Sequence, residues 1–148
     1  MQDFVHLHVH TQYSLLDGQA SVARLVDKAM KNGMKGIAVT DHGNMFGIKE
    51  FTNYVNKKNS GPKGEIKDLK KRIAGIEAGT VECEDKEAEI AACKAKIVEA
   101  ENKLFKPIIG CEMYVARRTM DLKEGKPDQS GYHLIVLAKN EKGYHNLI

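Results

Sequence analysis

Phe4-Val5-His6-Leu7-His8-Val9-His10 is the stretch on which the reading of this chain turns. Apolar and imidazole side chains alternate strictly, with Val5, Leu7 and Val9 on one side and His6, His8 and His10 on the other. A strand directs successive side chains to opposite faces, so the pattern predicts a strand with three histidines in one row. A solvated polar face explains alternation in general, but Lys, Glu or Thr would serve there without titrating near neutrality. The imidazole row points instead to metal binding or catalysis by at least two of its members.

Working outward, Val22, Leu25, Val26, Ala29 and Met30 recur with the spacing of an amphipathic helix, which Gly33 would stop. Gly36-Ile37-Ala38-Val39-Thr40-Asp41-His42-Gly43-Asn44 reads as a short apolar strand ending in polar residues. Asn44 is placed to cap a second helix built on Ile48, Phe51 and Val55. A third strand, Pro107 to Val115, carries Glu112 near its end. A fourth, Tyr132 to Ala138, opens with His133, and Asn140 begins another helix. This alternation predicts an α/β fold with a mostly parallel sheet buried on both faces. Reactive groups in such folds gather at the carboxyl ends of strands, where His8, His10, Asp41, His42 and Glu112 fall. His133 comes early in its strand, so that strand is expected to run differently or to have another boundary.

The βα rhythm covers residues 1–56 and 106–148 and is interrupted by 57–105. There Ile66, Leu69, Ile73 and Ile76, then Ile90, Cys93, Ile97, Ala100 and Leu104, step by threes and fours. The spacing predicts an antiparallel helical hairpin turning between Gly79 and Asp85. Lys67, Lys70, Lys71 and Arg72 make the first helix basic, and Glu82, Glu84, Asp85, Glu87 and Glu89 open the second as acidic. Those charges can satisfy each other, which favours a surface hairpin over a nucleic-acid or partner-binding arm.

Composition narrows the classes. At 148 residues the chain has the length of one domain, and 29% charged with 42% hydrophobic residues suits a soluble globular protein. No apolar run approaches the roughly 18 residues of a membrane span, and Met1-Gln2-Asp3-Phe4 does not open a secretory signal. Three cysteines without C-x-x-C spacing fit a reducing compartment, so a cytoplasmic location is expected and a nucleophilic cysteine is not. A net charge of +3 does not by itself imply nucleic acid.

The candidate site gathers His8, His10, Asp41, His42, Glu112 and His133, with Asp17 on the loop after the first strand. Imidazole and carboxylate donors suit Zn, Mn or Fe, and a bridging carboxylate such as Glu112 suits neighbouring cations. Cations so held polarise a phosphoryl group and acidify a bound water, which makes phosphate-ester hydrolysis the best-matched chemistry.

Three stretches carry a resemblance: His8 to Gly18, Thr40-Asp41-His42-Gly43-Asn44, and Pro107-Ile108-Ile109-Gly110-Cys111-Glu112. Together they resemble the polymerase and histidinol phosphatase (PHP) domain, in the branch found at the amino terminus of bacterial replicative polymerases. Tyr132-His133-Leu134 to Gly143-Tyr144-His145-Asn146-Leu147 continues the match, and the hairpin stands outside it as a lineage-specific insert. The resemblance implies the amino-terminal part of a distorted (β/α)7 barrel holding up to three divalent metals. It implies His8, His10, His42, Glu112 and His133 as ligands, Asp17 as a further ligand, and Asp41 as a ligand or a carboxylate behind one. His6 matches no ligand. A late Asp-x-His and the palm carboxylates of a polymerase are absent, so neither a complete metal centre nor polymerase activity is expected of these residues alone, and exposed sheet edges would favour self-association. DNA and other replicase subunits are the implied partners, with no membrane. The expected chemistry is a metal-dependent phosphoesterase, extending to 3′–5′ exonuclease proofreading in the intact domain. The alternatives are a catalytically silent scaffold that docks a proofreading partner, and a small-molecule phosphatase of the histidinol-phosphatase kind.

Overall fold

The computed structural model describes residues 4–148. Among them are three strands and five α-helices in two compact units, one running to Val55 and resuming at Lys106, the other spanning Asn56–Phe105. No helix among the described residues is long and apolar enough to cross a membrane.

In the first unit, α1 (Val22–Lys31) starts at Ser21, whose side chain accepts the Arg24 N–H, and ends before Gly33 at φ +77°. β1 (Gly36–Val39) is buried throughout and pairs in parallel with β2 (Lys106–Val115), from Gly36 opposite Lys106 to Val39 opposite Ile109. Gly36 is required there, since a Cβ would lie 2.5 Å from the Lys106 carbonyl oxygen. The core joins Val22, Val26 and Ala29 to Ile37, Ala38 and Val39, and to Ile48, Phe51 and Val55 of α2 (Ile48–Lys58). Burial of such side chains contributes about 1.5–3 kcal/mol each.

Four expectations are corrected. Residues 4–10 form no ladder strand: Ala38 and Thr40 N–H groups donate to the His6 and Val9 carbonyls, but the Val9 N–H turns to the Thr40 hydroxyl. That side-chain bond replaces a ladder bond, and Phe4 and Leu7 are left exposed. The sheet is also not mostly parallel, because β3 (Tyr132–Leu137) runs antiparallel to β2. Nor is it buried on both faces, since Tyr132, Leu134 and Leu137 are exposed. Asn44 does not cap α2: its amide donates to the Tyr13 and His42 carbonyls, and its oxygen accepts the Phe46 N–H, closing the turn before the helix. Asn140 does cap α5 (Glu141–Leu147), accepting the Gly143 N–H.

In the second unit, α3 (Ser60–Glu77) packs antiparallel on α4 (Lys86–Asn102). Ile76, Cys93, Ile97 and Ala100 are buried along the seam, and Arg72 reaches Glu89 at 2.8 Å across the outside. Asn59 closes the open end by accepting the Phe105 N–H and donating to the Phe105 carbonyl. At the turn, the Gly75 carbonyl accepts from Thr80 and Val81 N–H groups, and a Cβ at 75 would sit 2.8 Å from Val81 Cγ2. The glycine that weakens an isolated helix is what lets this turn close.

Candidate metal centre

Register builds the centre. The β1–β2 pairing continues past β1 as a bridge between His42 and Glu112, with the Glu112 N–H on the Asp41 carbonyl and the Gly43 N–H on the Glu112 carbonyl. Gly43 makes this bend at φ +65°. On the other side Tyr114 stands opposite His133 and Glu112 opposite Ile135. Side chains two apart on a strand share a face, so Glu112, Tyr114 and His133 face the same way. The antiparallel course of β3 thus brings its first residues beside the end of β2, which explains how an early-strand histidine reaches the cluster.

Asp41 shapes the remaining wall. Fully buried, its carboxylate accepts from the Thr11 N–H (2.6 Å), the Thr11 hydroxyl (2.8 Å) and the Ser14 hydroxyl (2.7 Å). Ser14 Oγ in turn accepts the His42 N–H at 3.0 Å. Gly18 folds the loop back, because a Cβ there would lie 1.8 Å from the Thr11 carbonyl oxygen. Asp17 is thereby set beside His10 and His42. Asp41 itself spends its oxygens on the loop and joins none of the metal-type groups among the described residues.

Glu112 is the hub. His133 Nδ1 lies 2.7 Å from Oε1, while His10 Nε2 and His42 Nδ1 lie 2.6 and 3.4 Å from Oε2. His10 Nδ1 and His42 Nδ1 also reach Asp17 at 2.9 and 3.2 Å. His8 Nδ1 is 2.8 Å from the Thr40 hydroxyl. Three overlapping groups result: His8–His10–Glu112, His10–Asp17–His42 and His42–Glu112–His133, each with donor atoms within 4.8 Å of one another. All six predicted ligands are in these groups, and His6 is not; its exposed ring packs edge-on against Phe4.

The donor set passes a test of fit for a cation. His10 Nε2 and Glu112 Oε2 are shielded from solvent and close together, yet neither has a hydrogen bond of acceptable geometry. They touch as an ion pair without hydrogen-bond geometry. A buried polar group lacking a hydrogen bond costs about 1–3 kcal/mol, and a shared cation would satisfy both. The carboxyls are held ionised. Burial pushes Glu112 up, but the His133 hydrogen bond and the neighbouring charge of His10 bring it below the ordinary carboxylate value. Burial likewise pushes Asp17 up, and His10 and His42 overrule it. Cys111 goes the other way: burial raises its thiol, which leaves it poorly suited to nucleophilic work.

Tyr114 is the residue that sequence reasoning missed. Its hydroxyl meets His42 Nε2, and its ring packs edge-on against both His42 and His133. Its position two residues beyond Glu112 in a strand was the available signal. A separate cleft lined by Gly43, Phe46, Cys111, Met113, Tyr114 and Tyr144 holds none of the six candidate ligands, and Tyr114 is the lining residue whose side chain also touches the cluster.

The PHP domain family matches residues 6–97 and 88–148. Among curated proteins, the DNA polymerase III subunit alpha of Treponema pallidum is 39% identical over 146 residues, and that of Borreliella burgdorferi 40% over 148. The Aquifex aeolicus subunit is 32% identical over 153 residues. The first two alignments take in 98% of this chain, so they run through the helical hairpin, which is therefore not peculiar to it. The chain spans about 9% of the length of these relatives. With the family match covering the histidine, Asp41–His42 and Glu112 segments alike, the chain belongs to the PHP domain family.

Proposed function

We propose that the cluster is a divalent-metal phosphoesterase site in the PHP domain of a bacterial replicative polymerase alpha subunit. The observation that carries this is the convergence of His8, His10, Asp17, His42, Glu112 and His133 around the buried, unbonded pair His10 Nε2 and Glu112 Oε2. Bound Zn, Mn or Fe would supply Lewis acidity and a water acidified toward neutrality. The chain's own contribution is positional. Glu112 offers one oxygen to each side, Asp17 spans His10 and His42, and Asp41 holds the loop that carries Asp17.

On this reading the β1–β2–β3 unit is the start of a PHP barrel and residues 57–105 are an insert in it. The whole protein is a nucleotidyltransferase of DNA replication in the cytoplasm, with DNA and other replicase subunits as partners. The intact domain hydrolyses 3′ ends as a 3′–5′ exonuclease. The similarity to DNA polymerase III alpha subunits supports the polymerase setting over a free histidinol-type phosphatase.

The test is metal content by plasma mass spectrometry, beside a His8→Ala/His10→Ala double variant. Retained Zn, Mn or Fe that disappears in the variant is the expected result. Equal metal in both proteins removes the site, and none in either leaves an incomplete centre or a silent scaffold, which the same measurement on the whole domain separates.

A further inference from the structure

Thr40 is fully buried at the end of β1, and its hydroxyl has three neighbours. The Val9 N–H donates to Oγ1 at 2.9 Å, His8 Nδ1 lies 2.8 Å away, and the Val9 carbonyl lies 3.3 Å away as an acceptor. A hydroxyl has one proton to donate and two lone pairs to offer. The Val9 N–H occupies one lone pair. If the hydroxyl proton goes to the Val9 carbonyl, the second lone pair must take a proton from His8 Nδ1, and all three capacities are filled. If the proton goes to Nδ1 instead, a buried lone pair is wasted.

We infer that Thr40 is a positioning residue that locks His8 in the Nδ1–H tautomer and so presents the Nε2 lone pair to the metal. This rests on the metal-centre reading above for its last step only. A ligand histidine held through its other ring nitrogen is both oriented and made more basic, and losing that partner costs about 10- to 100-fold in metal affinity. The departure from a regular ladder at residues 4–10 acquires a reason as well. The same hydroxyl that takes the Val9 N–H out of the sheet pairing is the one that aligns the neighbouring imidazole.

The experiment uses the chain labelled with 15N-histidine, its Thr40→Val and Thr40→Ser variants, and Zn2+ as the probe. Long-range 1H–15N spectra without metal, at a pH where imidazole is neutral, should show His8 protonated at Nδ1 in the wild type and in Thr40→Ser. Thr40→Val should give a mixture of tautomers. Zn2+ should then shift His8 Nε2, with affinity about 10- to 100-fold lower in Thr40→Val and restored in Thr40→Ser. A wild-type His8 protonated at Nε2 overturns the proposal, as does a valine variant that keeps both tautomer and affinity. A Thr40→Val protein that loses thermal stability while His8 stays unchanged makes Thr40 merely structural and overturns it too. A wild type that shows the Nδ1–H tautomer but ignores Zn2+ upholds the lock and breaks the metal-centre reading instead.

Discussion

In one unit a buried carboxylate, Asp41, gathers donors from Thr11 and Ser14 and fixes a loop against the end of β1. In the other, the corresponding polar link is Arg72 to Glu89, lying on the outside of two helices whose seam is already closed by Ile76, Cys93 and Ile97. Polar groups therefore do different things in the two places. Around Asp41 they specify where Asp17 and His42 stand, and removing one strands others among buried residues. Around Arg72 they decorate a structure that apolar burial has settled, where solvent takes over when the pair is broken. The centre is accurate and fragile, whereas the hairpin is tolerant.

Apolar truncations in each unit give the largest expected effects and test whether both rest on burial. Phe51→Ala should destabilise by about 3–5 kcal/mol and Ile76→Ala by about 2–5 kcal/mol. The chain has no tryptophan, so denaturation is best followed by far-UV circular dichroism, with amide exchange to locate the change. Each substitution should loosen its own unit first; equal loosening of both would break the comparison.

A polar pair sharpens the contrast at a smaller scale. Asp41→Asn keeps the shape but sets an NH2 against donors, which should cost about 1.5–3 kcal/mol and loosen the amides of residues 11–18. Arg72→Ala should leave the denaturation midpoint within error. A large loss from Arg72→Ala, or none from Asp41→Asn, would reverse the assignment of roles.

The smallest effect is confined to the loop before β3. There Arg118 grips Asp128 at 2.5 Å and holds its carboxyl below the ordinary value, chiefly through their hydrogen bond. A depressed folded value means the clasp contributes fully above the unfolded carboxylate value of about 3.9 and is lost as pH falls through the folded one. The Glu124 amide, which donates to Asp128 at 2.6 Å, should report that loss in an NMR titration. In Arg118→Ala the midpoint should move up; an unmoved midpoint would show that Arg118 is not the cause.

Periodicity makes the two helices of the hairpin legible, because it depends on local spacing, whereas the alternation of residues 4–10 points to His8 and His10 but to a strand that does not form. The i, i+3, i+4 steps from Ile66 to Ile76 and from Ile90 to Ala100 fall within α3 and α4, with Leu104 just past the end of α4. Candidate ligands from four separate segments form three overlapping groups. What remained hidden depends on pairing between segments. The direction of β3 is set by which edge of β2 it meets. Within Tyr132 to Ala138 its one trace is the early position of His133, which suggests a strand running differently but does not separate that from a misplaced boundary. Asn44 looked like a helix cap because Asn suits both caps and turns, and only the Tyr13 carbonyl nearby decides between them. Thr40 stands in the sequence only as one of the polar residues ending a strand, and its contacts with Val9 and His8 come from a segment 31 and 32 residues away.

The reciprocal amide clamp between Asn59 and Phe105 has an architectural consequence. It turns the ends of the hairpin into a fixed port through which the chain leaves and returns at one place. Lengthening or shortening the helices beyond that port changes loop-closure entropy only slowly, by about 0.6 kcal/mol per doubling. The segment from residue 60 to 104 is thus a natural splice point, where helical turns, an affinity tag or a reporter domain could be exchanged while positions 59 and 105 keep their bonds.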